Sequence, residues 1–160
     1  MNTMQKTQSV KTDKEVEFVT FYVGNLLIGV DILHVEEINR QVKITPVPHA
    51  PEQVRGVINL RGEVVTVVDL RKVLGMQNTQ IDEQSRTVVV NSGNEVIGLL
   101  VDSIADVVRF QADEIDPPPA NVNGVDNRFF QGVHKLDHAL LIVLNVEEAV
   151  AVNVVGSAVV

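Results

Sequence analysis

Apolar residues in this chain fall in short dense runs rather than at helical spacing. Val64, Val65, Val67 and Val68 are apolar on both faces of one extended segment, and Val88 to Val90 and Leu140 to Leu144 repeat the pattern. A strand with one wet face alternates, so these runs predict strands covered on both sides, by a second lobe or by a partner. The Gly-Asn pairs Gly24-Asn25 and Gly93-Asn94 each separate two apolar runs and predict hairpin turns needing φ > 0. Third strands are expected around Glu36 to Ile44 and Ile104 to Phe110. Strand pairs should follow at Val54 to Leu60 with Glu63 to Val68, and at Phe129 to Leu136 with Ala139 to Val143. Asp69 and Asn145 then occupy N-cap positions before short helical turns, Arg71 to Leu74 and Glu147 to Val150.

These elements occur twice because the chain is internally duplicated. At an offset of 69, Val19 to Gly29 lies over Val88 to Gly98, matching the Val, the Gly-Asn pair, Ile and Gly; Val35-Glu-Glu-Ile38 then falls on Ile104-Ala-Asp-Val107. At an offset of 76, Gly56 to Leu60 lies over Gly132 to Leu136, and Val64 to Leu70 over Leu140 to Val146. About five short strands per copy suggest a small barrel, and two copies suggest two similar five-stranded lobes packed on each other. The repeats run over roughly 18–74 and 87–150 within a domain spanning 16–150. Whether strands cross between lobes is left open by the alignment. Thr45 to Pro48, Pro117 to Pro119 and Asn121 to Asp126 are expected as surface loops. Residues 1–15 read as a flexible polar tail and 151–160 as a C-terminal tail of unassigned role.

Composition sharpens the picture. Val occurs 33 times against eight Ala, a bias toward sheet. No Cys is present, which excludes disulfides, thiolate metal sites and Cys nucleophiles and suits a reducing, cytoplasmic compartment. No apolar run reaches the ~18–20 residues of a membrane span, so no membrane insertion is expected. A net charge of −8, with 13 Lys and Arg scattered singly, argues against nucleic acid as a ligand.

Candidate chemistry is sparse. No phosphate loop, nucleotide fingerprint, nucleophile elbow or His-Glu-x-x-His motif occurs, so no catalytic residue, metal ligand set or cofactor is assigned. His134 and His138 are spaced as a possible metal pair, but around a hairpin they do not converge as on a helix. Asp69 with Glu63, or Asp102 with Asp106, could be paired as acid and base; yet Asp69 recurs as Asn145, as expected of a structural cap. One segment stands out: Arg55-Gly-Val-Ile-Asn-Leu-Arg61-Gly-Glu63 sets two arginines and two glycines into a valine-rich strand pair. Glycine inside a strand suggests close backbone approach. Arg61 sits where the other copy has Asp137, and its expected partner is Glu37.

At these residues the chain resembles the CheW-like chemotaxis coupling protein family, over roughly Glu17 to Val150. The most specific element is Val54-Arg-Gly-Val-Ile-Asn-Leu-Arg-Gly-Glu-Val-Val-Thr-Val-Val-Asp-Leu-Arg71, supported by Val35-Glu-Glu-Ile38, Val96 to Asp102 and Leu141 to Val146. Thr66 departs from the family's usual Pro. The resemblance implies a mainly β protein of two five-stranded SH3-like lobes around a shared apolar interface. It also implies a non-enzymatic adaptor coupling methyl-accepting chemoreceptors to the histidine kinase CheA. Such proteins bind the receptor's cytoplasmic hairpin tip in a groove between the lobes and the kinase's homologous regulatory domain through another face, arrayed with other coupling units. By matching position, Val35, Glu37, Ile38, Gly56, Val57 and Arg61 would line or support the receptor side, and Gly98 the lobe junction. With no kinase or receiver segment in view, a stand-alone adaptor is expected rather than a CheA or CheV chain. An adaptor of a related pathway, such as twitching motility or gene regulation, and a small-molecule-binding β-barrel are the alternatives.

Overall fold

A computed structural model describes residues 14–40 and 43–151. Twelve strands fall in order: β1 Glu15–Val23, β2 Leu26–Asp31, β3 Val35–Asn39, β4 Val54–Leu60, β5 Glu63–Asp69, β6 Arg86–Ser92, β7 Glu95–Val101, β8 Ser103–Gln111, β9 Asn121–Val122, β10 Val125–Asp126, β11 Phe130–Lys135 and β12 Leu140–Leu144. Short helices at Leu70–Val73 and 146–151 follow β5 and β12. Ten of the strands build two five-stranded sheets, in the orders β11-β12-β2-β1-β8 and β3-β6-β7-β5-β4.

The duplication is visible in both sheets, with its parts exchanged. Hairpin β1–β2 of the first repeat is inserted among β8, β11 and β12 of the second, and hairpin β6–β7 of the second among β3, β4 and β5 of the first. Each lobe is therefore a composite of both repeats, which answers the question the alignment left open. The registers reproduce the offsets. Gly29 faces Val143 in the parallel pair β2–β12, as Gly98 faces Val67 in β7–β5. The bulges also recur, between Val54 and Gly56 in β4 and between Phe130 and Gly132 in β11.

Strand alternation explains why these runs are apolar on both faces, except at Val64 near the start of β5, which is 71% exposed and left uncovered. Phe21, Ile28, Val30, Val88, Val90, Leu99, Ile142 and Leu144 point into one core shared by the two sheets, joined by Leu70, Val73 and Val146 from the helices. The opposite faces fill each sheet's own concavity. Phe18, Leu27, Phe110, Leu141 and Val143 line one, and Ile58, Val65, Val67 and Leu100 the other. In the first concavity Phe18 stacks on Phe110, and Phe110 on His134, at ring separations of 5.3 and 3.8 Å. This stack bridges β8 and β11, the two unpaired edges, so the sheet curls as an SH3-like lobe while its hydrogen-bond ladder stays open.

Several local expectations shift. β3 stops at Asn39 rather than reaching Ile44; Thr45 instead bridges Val57 in isolation. The loop at Asn121 to Asp126 is a two-residue-turn hairpin, β9–β10, with Asn123 and Gly124 both at positive φ and Val125 buried in the shared core. β1 begins at Glu15, opposite Gln111, so the polar tail ends earlier than its composition suggested. The rest of that tail and the C-terminal tail from residue 152 lie outside the described residues.

Gly56 shows what the strand glycines do. Its φ is +149°, and a Cβ there would lie 2.2 Å from the Thr45 carbonyl oxygen. Without that Cβ, Thr45 and Val57 exchange both backbone hydrogen bonds, at 2.9 and 2.8 Å. Gly132 repeats the arrangement against Ile115 and Asp116. Gly56→Ala should therefore destabilise by about 2–3 kcal/mol, from backbone strain plus overlap. Gly62→Ala, also at positive φ but with nothing within 4 Å, should cost about 1 kcal/mol. Denaturant titration of the two variants checks the difference, and equal losses would remove the packing explanation.

Candidate functional site

β3 and β4 are the two edges of the second sheet, and the turn after β4 reaches back to β3 through one ion pair. The β4–β5 turn has Arg61 at φ 51° and Gly62 at φ 87°, the left-handed pair that a two-residue hairpin turn requires. The Asn59 side chain accepts the Gly62 N–H at 3.0 Å and fixes the turn. From it Arg61 Nη2 reaches Glu37 Oε1 on β3 at 2.7 Å. The Glu37 side chain is 25% exposed and that of Arg61 75%, so the pair contributes little to stability and leaves most of the guanidinium facing outward.

Around this pair the other candidates take different positions. Ile38, 39% exposed, is an apolar residue on the open edge of β3. Val57 is half-buried on β4. Val35 packs against the shared core. Gly56 is buried beneath the Thr45 bridge, so its part is to let two backbones meet. Gly98 lies in the parallel seam where the second repeat's hairpin enters the first repeat's sheet; a Cβ there would come 2.7 Å from Thr87 Cγ2.

Two polar networks escaped the sequence reading. Asp69, read as a helix cap, makes no cap hydrogen bond. It is buried and accepts from Arg55 Nη1 at 3.0 Å and from the backbone N–H and Oγ1 of Thr79 at 2.9 and 2.7 Å, fastening the 75–81 segment to the sheet. Asn145, its counterpart, does cap, accepting the Glu148 N–H at 3.2 Å. The second network joins the lobes. Arg71 Nε and Nη2 donate to Asp102 Oδ1 and Oδ2 at 2.8 and 2.6 Å, and the Gly24 N–H donates to Oδ2 at 2.8 Å. Asp102 is thus the partner of Arg71 rather than of Asp106. The Asp-Leu-Arg ending of the motif was a signal for an arginine with a fixed duty, but its partner, 31 residues on, was not.

Burial opposes ionisation of Asp102, but the hydrogen bonds from Arg71 and Gly24 outweigh it and hold the carboxyl below its ordinary range. The hydrogen bond to Asp102 likewise raises Arg71. Among the described residues no group of three His, Asp or Glu side chains converges as metal ligands would. Nor is any described helix long and apolar enough to cross a membrane.

Fold and site together define a two-lobed, pseudo-symmetric β scaffold of the SH3-like kind, with an ion-paired, partly apolar rim on one lobe. Comparison with known proteins narrows the class. Residues 17–153 match the CheW-like domain family. The chain is 34% identical to the chemotaxis protein CheW of Klebsiella aerogenes over 132 residues, covering 82% of this chain and 80% of that protein. It is 32% identical to CheW of Thermotoga maritima over 139 residues, covering 86% and 89%. It also superposes on the crystal structure of the scaffolding protein TtCheW from Thermoanaerobacter tengcongensis with a TM-score of 0.75, at 34% identity, covering 81% of this chain and 88% of that one. The chain belongs to the CheW-like domain family, whose members are chemotaxis coupling scaffolds.

The Asp102 network carries a pH dependence. Its folded-state pKa lies below the unfolded value of about 3.9, so its stabilising contribution is complete above that value and is lost as pH falls through the folded pKa. Asp102→Asn should destabilise by about 1 kcal/mol at pH 7, and the gap to wild type should narrow below about pH 4. Thermal melts from pH 7 to pH 2.5 check this; a gap that widens in acid would contradict the assignment.

Proposed function

We propose that the protein couples the cytoplasmic hairpin tips of chemoreceptors to the regulatory domain of a CheA-type histidine kinase, in the cytoplasm and as one unit of an array. Membership of the CheW-like domain family over residues 17–153 is the observation that carries this reading. The rim of Ile38, Val57 and the Glu37–Arg61 pair supports it as the receptor side, since it combines exposed apolar surface with a mostly exposed guanidinium. Coupling here means differential binding. An adaptor gripping both receptor signalling states equally would shift no kinase population. A scaffold whose shared core joins both lobes suits the task. A second reading is an adaptor for a related pathway, since a relative that does not carry the chemotaxis name, protein FrzA of Myxococcus xanthus, is 36% identical over 105 residues, covering 66% of each chain.

Reconstitution tests the first reading. Added to a receptor signalling fragment and the kinase from the same cell, the protein should raise kinase autophosphorylation and make it respond to the receptor's state. Val35 and Gly56 are unsuited as probes, because one packs on the core and the other admits no Cβ. Ile38→Asp and Arg61→Glu, both exposed, should weaken receptor binding about tenfold or more while moving Tm by less than about 3 °C. Retained binding in both variants would move the receptor site elsewhere. A wild-type protein without effect on that kinase would overturn the coupling reading, and capture of a different kinase would favour the second.

A further inference from the structure

The chain crosses from one sheet to the other at two places related by the internal repeat, and the two differ. The offsets carry Gly24, Asp102 and Arg71 onto Gly93, Leu33 and Glu147. At the β7–β8 crossing, Asp102 receives the fork of Arg71 from the helix after β5 and the N–H of Gly24 from the β1–β2 turn. Its own N–H donates to the Tyr22 carbonyl at 3.0 Å. Elements of both lobes thus meet on one carboxylate. Among the described residues nothing equivalent occurs at the β2–β3 crossing. Leu33 stands in the place of Asp102 with 84% of its surface exposed, and its N–H turns back to the Asp31 side chain at 3.0 Å. Glu147 replaces the arginine. A polar crevice of about 110 Å³ lies there instead, bordered by His34, Ser92, Gly93, Asn145 and Glu147.

We propose that Arg71 and Asp102 are positioning residues for kinase control: their ion pair pins the lobes at one crossing and leaves the other free to open, so that the lobes pivot about the pin. This rests on the coupling reading above. A bidentate pair fixes orientation as well as distance, which a single contact does not. The shared core between the two crossings is apolar and its attraction non-directional, so it resists separation of the lobes more than rotation about the pin. Partners that grip different lobes then sense each other through the angle the pin sets.

The absence of cysteine makes the pivot measurable. Spin labels on Glu95→Cys and Gln131→Cys, exposed positions on opposite sheets beside the crevice, report the lobe separation by pulsed electron resonance. In the full-length protein, Arg71→Lys and Asp102→Asn should broaden that distance distribution. They should lower receptor-controlled kinase autophosphorylation about tenfold, with affinities for the receptor fragment alone and the kinase alone kept within about twofold. Arg71→Lys, which keeps the charge but not the fork, should fold if Asp102→Asn does not. An unchanged distribution overturns the pin, and a broadened one with full kinase control overturns its positioning role. A wild-type protein that never controls the kinase defeats the coupling reading alone, since the distance measurement still decides the pin.

Discussion

The structure depends on one core shared by two sheets, neither of which can bury its apolar surface alone. Strands β2, β6, β7 and β12 carry large aliphatic side chains on both faces. One face fills the curl of its own sheet and the other meets the opposite sheet. Removing a fully buried Val or Leu from water contributes roughly 1.5–3 kcal/mol, so separating the lobes would expose more than the few kcal/mol of net stability typical of a small protein. The lobes are therefore one cooperative unit rather than two domains on a tether.

Exchange of hairpins satisfies the same constraint by interleaving the two repeats in each sheet. A parallel pair such as β5–β7 needs a long connection, and here the segment that joins the two repeats, from Leu70 through β6, supplies it. Each repeat thereby has its first hairpin held between strands of the other. The parallel seams force small residues: Gly29 and Gly98 occupy matching positions, each with a side chain of the flanking strands too near to admit a Cβ comfortably. The bulge glycines Gly56 and Gly132 answer a different demand, the approach of an isolated backbone bridge. Glycines shared by the two halves thus mark close approaches, of flanking side chains at Gly29 and Gly98 and of backbone at Gly56 and Gly132, whereas residues that diverge mark where the halves differ in duty.

Much of this was legible in the chain. Dense apolar runs bounded by Gly-Asn turns are local patterns, and together with the offsets of 69 and 76 they located ten strands and most of their turns. The charge contrast between Arg61 and Asp137 pointed to the Glu37 pair, which the turn geometry brings together at 2.7 Å. Hairpin exchange was not legible, since two repeats pairing within themselves or across each other bury the same apolar faces. Nor was the duty of Asp69: a carboxylate before a helix resembles a cap, and only the return of the chain at Thr79 shows that its oxygens are committed elsewhere. Arg71 and Asp102 were hidden for the same reason, being joined by topology rather than spacing.

Divergence between the halves also indicates how a symmetric scaffold performs an asymmetric task. Lobes of identical surface would offer two partners the same site. In this chain the rim at Glu37–Arg61 is an ion pair, while its counterparts Asp106 and Asp137 are both acidic. One crossing is tied by Asp102, and its counterpart ends in an exposed leucine. Two carboxylates in place of an ion pair present only negative charge where the other rim presents a mostly exposed guanidinium, so the two lobes differ in the charge they offer. The duplicated core supplies a common frame, and positions where the copies part company supply direction: one crossing is tied by an ion pair and its counterpart is not, and one rim offers a guanidinium where the other offers a carboxylate.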